Sequence, residues 1–258
     1  TIGQDKVEVT LLLPTGVEAH AYEPKPSDIT KINEAELFVY TGEFMEPWAY
    51  DIIEGASKNI KIVDASAGIE LMKEEGEEHE HEHEGEASHE EADHHEDEHG
   101  HHHGGVDPHI WLDFENAKIM AKNIADALEN ADPQNAIFYQ TNLKAYQAKL
   151  ATLDQNYKNT LATCKTKTII FGGHFAFGYL AKRYDLNYVA AQGFSPDSEP
   201  TAKDLISLTE YIKKNNINFI FFEELTSPKI AETLSRETSA KMFLLNGAHN
   251  LAKEDYEA

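Results

Sequence analysis

The strongest constraint on the fold is the alternation of short apolar runs with helical segments, which occurs twice along the chain. In the first part of the chain, the apolar runs lie at 7–14, 36–42 and 59–66. After Cys164 the alternation returns, with apolar runs at 167–174, 188–194, 217–224 and 241–249. Runs of this length that are separated by helices are typical of βα units in a parallel sheet. The sequence therefore predicts an α/β protein with two Rossmann-like βα lobes.

A long helical segment separates the two groups of apolar runs. Asp132 and Pro133 are typical of a helix start, and Leu and Tyr recur every three or four residues from Leu143 to Leu161. A helix of roughly 28 residues is about 40 Å long, which is more than one small lobe needs. The predicted domains are therefore an N-terminal lobe, a rigid connecting helix and a C-terminal lobe, at 1–132, 133–163 and 164–258.

A low-complexity tract of histidine and acidic residues interrupts the first lobe. Within 73–105 the only apolar residues are Ala87 and Ala92. Such a segment cannot bury enough apolar surface to offset the entropy lost on ordering, so we predict a disordered insertion at 73–105. Imidazole is a common ligand for zinc, copper and nickel. The candidate accessory ligands are the histidines of the tract: His79, His81, His83, His89, His94, His95, His99, His101, His102 and His103.

Charge and cysteine content exclude several classes of protein. The formal net charge is −24, and fourteen of the acids lie between Glu74 and Glu98, so the remaining chain is only mildly acidic. We therefore expect no nucleic-acid partner. Cys164 is the only cysteine, which excludes an internal disulfide and a Cys-rich zinc site. The sequence has no apolar run long enough to span a membrane. It begins at Thr1 without a Met, which indicates a processed or trimmed start.

Four histidines lie outside the tract, each in a loop at the end of a predicted strand or helix: His20, His109, His174 and His249. Ligands of parallel α/β proteins bind at the carboxyl ends of strands. Two of the four histidines come from each lobe, so together they could form a tetrahedral nitrogen site for Zn²⁺ in a cleft between the lobes. Taken singly, each could instead be a surface histidine or a hydrogen-bonded core histidine, and none belongs to a local motif such as H-E-x-x-H.

Four segments resemble the solute receptors of bacterial zinc and manganese ABC importers, the cluster A-I or TroA-like family. The segments are LLLPTGVEAHAYEPKPSDITKINEAELFVYTG, DPHIWLDFENAKIMAKNIADAL, GGHFAFGYLAKRYDL and FIFFEELTSPKIAETLSRETSAK. The similarity runs from about Lys6 to Lys253 and is interrupted only by the tract. An acidic, His-rich insertion before DPH is typical of the zinc-specific, ZnuA-like group. Relative to the family, the first strand before GQDKVEV and the final helix after DYEA are missing.

The resemblance implies a ligand set for the metal. It places His20, His109 and His174 at the three conserved ligand positions. Manganese-binding relatives usually have Glu at the third position, and imidazole instead favours zinc. His249 falls at the fourth position, where the family often has a carboxylate or water.

Several carboxylates compete for roles around these histidines. Glu18, Glu223 and Glu224 are alternative ligands. Asp107 and Asp113 flank His109, and either could accept the second ring N–H of that histidine.

The resemblance implies high-affinity capture of Zn²⁺ outside the cytoplasm and delivery of the ion to an ABC permease. The protein is expected to be a monomer, either periplasmic or extracellular and membrane-anchored, and not an enzyme. The tract would be a lower-affinity zinc reservoir, and zinc affinity would fall as the pH drops through about 6. Two alternatives remain at this point. One is a zinc hydrolase with three histidines and a water on the metal, for which Glu223 is the only candidate general base. The other is a metal buffer that acts through the tract alone.

Overall fold

The computed structural model describes residues 1–20, 22–73, 105–194, 199–223 and 227–250. The first lobe contains α1 (Pro26–Asn33), β1 (Leu37–Tyr40), α2 (Ala49–Gly55) and β2 (Lys61–Asp64). Two long helices follow, α3 (Phe114–Ala131) and α4 (Ala136–Ala162). The second lobe contains β3 (Thr168–Phe171), α5 (Gly178–Tyr184), β4 (Asn187–Ala190), α6 (Ala202–Lys214), β5 (Phe219–Phe222), α7 (Lys229–Thr238) and β6 (Lys241–Leu244).

The first lobe is built on a parallel pair of strands, in which Phe38 of β1 lies beside Ile62 of β2. Alternate residues of β1 point to one core, because side chains in a strand alternate between its two faces. That core also receives α1, α2 and the loop that precedes α1. Its buried members are Leu13, Ala19, Tyr22, Ile32, Phe38, Tyr40, Met45, Trp48, Ala49, Ile52 and Ile60.

The second lobe is built on a four-stranded sheet in the order β4-β3-β5-β6, and every pair of neighbouring strands is parallel. Ile170 and Phe171 are consecutive in β3 and face opposite sides of the sheet. Ile170 packs with Leu208 of α6 and Leu234 of α7, whereas Phe171 packs with Phe177 beside α5. Helices therefore cover both faces of this sheet, as expected for a parallel sheet whose strands are buried on both sides.

The long helices run antiparallel, since Gln140 of α4 donates to Glu129 of α3 and Gln147 donates to the Lys118 carbonyl. The first half of α4 packs on α3 through Tyr139 and Leu143, together with Ala121, Ala125 and Ile2. The second half faces the second lobe, where Asp154 of α4 accepts hydrogen bonds from Arg183 and Tyr184 of α5. The predicted α/β fold with two lobes and a long helix between them is confirmed. The exact domain boundaries stay a prediction.

One predicted strand is wrong. Residues 7–14 form neither helix nor strand, and the side chains of Val9 and Leu11 are 83% and 62% exposed. A β-branched, apolar run becomes a strand only when a neighbouring strand completes its hydrogen bonds. In the described residues β1 pairs only with β2, so this run has no strand beside it. The first lobe therefore has a smaller described sheet than the second, with two strands against four.

The described part of the tract is limited to its flanks, where Lys73 and Val106 form an antiparallel bridge. The predicted disorder of the insertion falls almost entirely on residues outside the described ranges. No helix in the described ranges is both long enough and apolar enough to cross a membrane.

Candidate metal centre

The structure brings all four isolated histidines together where the two lobes meet. His20 lies in the loop before α1, and His109 precedes the short 3-10 turn Ile110–Leu112 that leads into α3. His174 follows β3, and His249 follows β6. One ring nitrogen from each histidine lies within 4.8 Å of the others. The loops at the carboxyl ends of two parallel strands, β3 and β6, thus meet two loops of the first lobe.

The spacing of the ring nitrogens fits a tetrahedral metal ion. His109 Nε2 lies 3.2 Å from His20 Nε2 and 3.1 Å from His174 Nε2. Zinc–nitrogen bonds of about 2.0–2.1 Å in a tetrahedron require nitrogen atoms about 3.3 Å apart. The ring of His249 completes the cluster, with its centroid 5.1 Å from that of His109 and 5.6 Å from that of His174. Three imidazoles at this spacing can hold one Zn²⁺, and the His249 ring, with a nitrogen within 4.8 Å of the others, can supply the fourth ligand.

His109 is oriented by the carboxylate of Asp107. Its Nδ1 lies 2.7 Å from Asp107 Oδ1, and its backbone N–H donates to the same oxygen at 3.0 Å. Both side chains are completely buried. With the proton held on Nδ1, the lone pair of Nε2 faces the other histidines. Asp113, the other expected partner, instead caps α3 by accepting from the backbone N–H groups of Glu115 and Asn116.

His174 is oriented in the same way by Glu223. Its Nδ1 lies 2.9 Å from Glu223 Oε2, and Glu223 comes directly after β5, which pairs with β3. A side chain at Gly173 would collide with this carboxylate, since its Cβ would lie 2.4 Å from Glu223 Oε1. The sequence suggested Glu223 as a competing ligand or a general base. Glu223 directly follows β5, which lies beside β3, and His174 follows β3. This arrangement indicates that Glu223 could orient His174.

His20 and His249 are half-buried and lie at the open side of the cluster. The His20 loop is fixed by Trp48, whose indole N–H donates to the Ala19 carbonyl at 2.9 Å. The Nε2 atom of His249 is buried and has no hydrogen-bond partner among the described residues. A buried nitrogen without a partner costs free energy unless a ligand or ion satisfies it. This atom therefore supports a role for His249 in binding.

Burial favours the neutral form of His109 and His249, which is the form that binds metals. It holds the pKa of His109 well below its usual value, and the neighbouring histidines lower it further. Burial, with the charge of His174, lowers the pKa of His249 to about 4. Burial has the opposite effect on acids, and it raises the pKa of Asp107 to about 7.

Glu18 is the carboxylate nearest in sequence to the first histidine. Its Oε1 accepts the backbone N–H of His20 at 3.3 Å, while its Oε2 is buried without a hydrogen-bond partner in the described residues. Burial raises the pKa of this carboxyl. Glu18 thus braces the His20 loop. Glu224 and the ten tract histidines lie outside the described residues.

Comparison with known proteins agrees with this geometry. The family described as "Zinc-uptake complex component A periplasmic" matches residues 1–258. The high-affinity zinc uptake system protein ZnuA of Bacillus subtilis is 43% identical over 99% of this chain and 76% of its own length. The zinc-binding lipoprotein AdcA of Streptococcus pneumoniae is 39% identical, and this chain spans 49% of its length. The Zn(II)-bound ZnuA-like domain of the same AdcA superposes with a TM-score of 0.75 at 35% identity, over 99% of this chain and 85% of that domain.

Proposed function

Because this chain belongs to the ZnuA family of zinc-uptake components, we propose that it captures Zn²⁺ outside the cytoplasm with His20, His109, His174 and His249 and delivers the ion to an ABC permease. The observation that carries the proposal is the cluster of four imidazole nitrogens, all within 4.8 Å of one another, at the junction of the lobes. Zinc is the transported ion and not a resident cofactor.

The donor set favours zinc over manganese and calcium. Imidazole nitrogen suits Zn²⁺, whereas the harder ions prefer carboxylate and carbonyl oxygen. The two carboxylates in contact with the cluster, Asp107 and Glu223, accept hydrogen bonds from ring nitrogens of His109 and His174. In that position they increase the basicity of the imidazoles and offset the charge of the ion. The preference for zinc therefore follows from a cluster in which imidazoles face the ion and the carboxylates contact the imidazoles.

Delivery requires release, and the geometry suggests which contacts must open. Two ligands come from the loops of each lobe, so a small separation of the lobes removes half of the ligand set. Zinc held by two imidazoles is far less stable than zinc held by four. We propose that the permease drives this separation of the lobes. We also propose that the protein acts as a monomer and that the tract collects zinc near the cleft.

The two alternatives are less well supported. A zinc hydrolase needs an open coordination position for water and a free general base. Here His249 lies where the fourth ligand of the metal would bind, so no coordination position is left for water. Glu223, the candidate general base, is already hydrogen-bonded to His174. A buffer that acts through the tract alone does not explain the buried cluster in the cleft. We therefore infer a binding protein without catalytic activity.

The test is the position of zinc in crystals of the full chain grown with one equivalent of the ion. A map of anomalous differences collected above and below the zinc edge should show its strongest peak among the four histidines. The His174→Ala variant is the control, and it should lose that peak. A strongest peak among residues 79–103, or at a site shared with a substrate-like molecule, would contradict the proposal.

A further inference from the structure

We propose that Asn250 and Trp111 are positioning residues that hold the His249 loop across the cleft and thereby set how long zinc is retained. The inference rests on the proposed four-histidine site and concerns residues that do not touch the metal. We call the hydrogen bonds made by Trp111 and Asn250 between the lobes the interlobe clasp. Each of these bonds connects the second-lobe loop that carries His249 with the first lobe.

The first part of the clasp is the side-chain amide of Asn250. Its Nδ2 donates to the carbonyl of Pro14 at 2.8 Å and to the carbonyl of Val17 at 2.9 Å. These carbonyls belong to the loop that carries His20. Asn250 is buried, so these hydrogen bonds are largely shielded from water. The amide therefore fixes the His249 loop directly to the His20 loop.

The second part of the clasp is the indole of Trp111. Its Nε1–H donates to the carbonyl of Gly247 at 2.9 Å. The same ring meets His249 edge-on, with 5.2 Å between centroids, and it meets His109 at 5.5 Å. Gly247 allows the loop to fold tightly, because a Cβ there would lie 2.4 Å from Cε1 of His249.

The clasp gives His249 a kind of support that differs from that of the buried histidines. His109 and His174 are oriented through Nδ1 by carboxylates. The His249 loop is held instead through Gly247 and Asn250, on either side of the histidine. Loss of the clasp should therefore release the fourth imidazole and leave the other three in place, because the His20 loop is also held by the hydrogen bond from Trp48 to Ala19. Zinc should still enter the cleft at the same rate but leave it faster.

The experiment measures zinc release from the full chain by stopped-flow mixing with a chelator, and the visible absorption of bound Co²⁺. Asn250→Ala and Trp111→Phe should each release zinc about tenfold faster, as is usual when a group that orients a ligand is removed. Their Co²⁺ spectra should move towards the spectrum of His249→Ala. The control is Asn123→Ala. The Asn123 amide also donates two hydrogen bonds to backbone carbonyls, those of Ala65 at 3.0 Å and Ala67 at 2.9 Å, but the loop that it holds carries none of the four histidines. Its release rate should stay unchanged.

A double variant separates positioning from a general structural role. If Asn250 acts through His249, then Asn250→Ala should not accelerate release further when His249 is already Ala. The proposal would be wrong if the two substitutions accelerated zinc release additively in the double variant. It would also be wrong if Asn250→Ala and Trp111→Phe both released zinc at the normal rate. An unchanged Co²⁺ spectrum and release rate in His249→Ala would instead refute the fourth ligand of the proposed function.

Discussion

The chemistry of the cleft depends on how burial changes the ionisation of single residues. The pKa of His249 is lowered to about 4 and that of His109 is also lowered, while the pKa of Asp107 is raised to about 7. A lowered pKa keeps an imidazole neutral in acid, so protons compete with zinc for it only at low pH. A raised pKa has the opposite consequence for Asp107, which must lose a proton when zinc binds to His109.

The first prediction concerns the pH dependence of zinc affinity in the full chain at one equivalent of zinc. Between pH 7 and about 5 the affinity should fall because the Asp107 proton is displaced there, whereas His109 and His249, whose pKa values are lowered, take up protons only in more acidic solution. Below about pH 5 the slope should steepen as the histidines take up protons. Chelator competition across this range measures the profile.

Asp107→Asn provides the control for this profile, because the amide does not titrate. Its affinity should be lower overall and should fall less between pH 7 and about 5 than that of the unmodified chain. The sequence alone suggested loss of affinity through about pH 6, near the usual pKa of histidine. A steep loss centred near pH 6.5 in the unmodified chain would mean that the histidines titrate as solvated groups.

The four candidate ligands could be predicted from sequence because only four histidines lie outside the tract, and each follows or precedes a predicted element, although the strand predicted before His20 does not form. The carboxylates behind them were harder to predict. Asp107 lies two residues before His109 and Asp113 four residues after it, and only the fold shows that Asp113 caps α3. The roles of Trp111 and Asn250 could not be predicted, since their partners lie more than a hundred residues away in the chain.

Among the helices, α4 contacts the second lobe through a charged cluster and through the stacking of Tyr157 on Tyr184 of α5. Arg183 of α5 donates to both carboxylate oxygens of Asp154 at 2.7 Å and to both oxygens of Asp113 at 3.1 Å. Asp154 also accepts from Tyr184 at 2.9 Å. Hydrogen bonds from Arg183, the largest contribution, hold the pKa of Asp154 well below its usual value. This one side chain thus joins α5 to α4 and to the start of α3.

The second prediction is that Arg183→Leu lowers the free energy of unfolding by about 3 kcal/mol, because Asp154 and Asp113 lose the guanidinium that both of them share, and Asp154 is left with Lys158 and Tyr184 only. Urea denaturation of the metal-free chain measures this change. Lys182→Leu removes the same charge from an adjacent exposed position and should cost less than about 0.5 kcal/mol. Equal losses in the two variants would show that the cluster contributes little beyond surface charge.

The helices were easier to predict than the strands. Residues 136–162 form a single helix, close to the predicted 133–163, because three- and four-residue spacing over many turns is a strong signal. The run at 7–14 is also apolar, yet it forms no strand, because a strand requires a second strand beside it to complete its hydrogen bonds. Helix hydrogen bonds are local, so a helix can be predicted from its own residues, whereas a strand needs information from elsewhere in the chain.

For the molecule as a whole, the important relation is between the tract and the cleft. Both ends of the tract are fixed, since Lys73 and Val106 are bridged and the Asp107 N–H donates to the Met72 carbonyl at 2.9 Å. Tyr179 of the second lobe accepts from the Met72 N–H at 2.8 Å and donates to the Asp107 carbonyl at 3.2 Å. The tract therefore begins and ends beside the residue that orients His109. The four histidines of the cluster all lie outside the tract.

The last prediction is that deletion of 76–104 leaves one tightly bound zinc with unchanged affinity, while the number of weaker zinc sites falls. The deletion leaves Glu74, Glu75 and Gly105 to connect the paired residues Lys73 and Val106, which is the length of a short hairpin loop. The positive φ of Gly105 suits such a turn. Calorimetric titration of the two chains measures stoichiometry and affinity, and addition of His174→Ala to the deletion variant should abolish the remaining tight site. If the deletion itself abolished tight binding, the tract would be the primary site, and the cluster of four histidines would need another explanation.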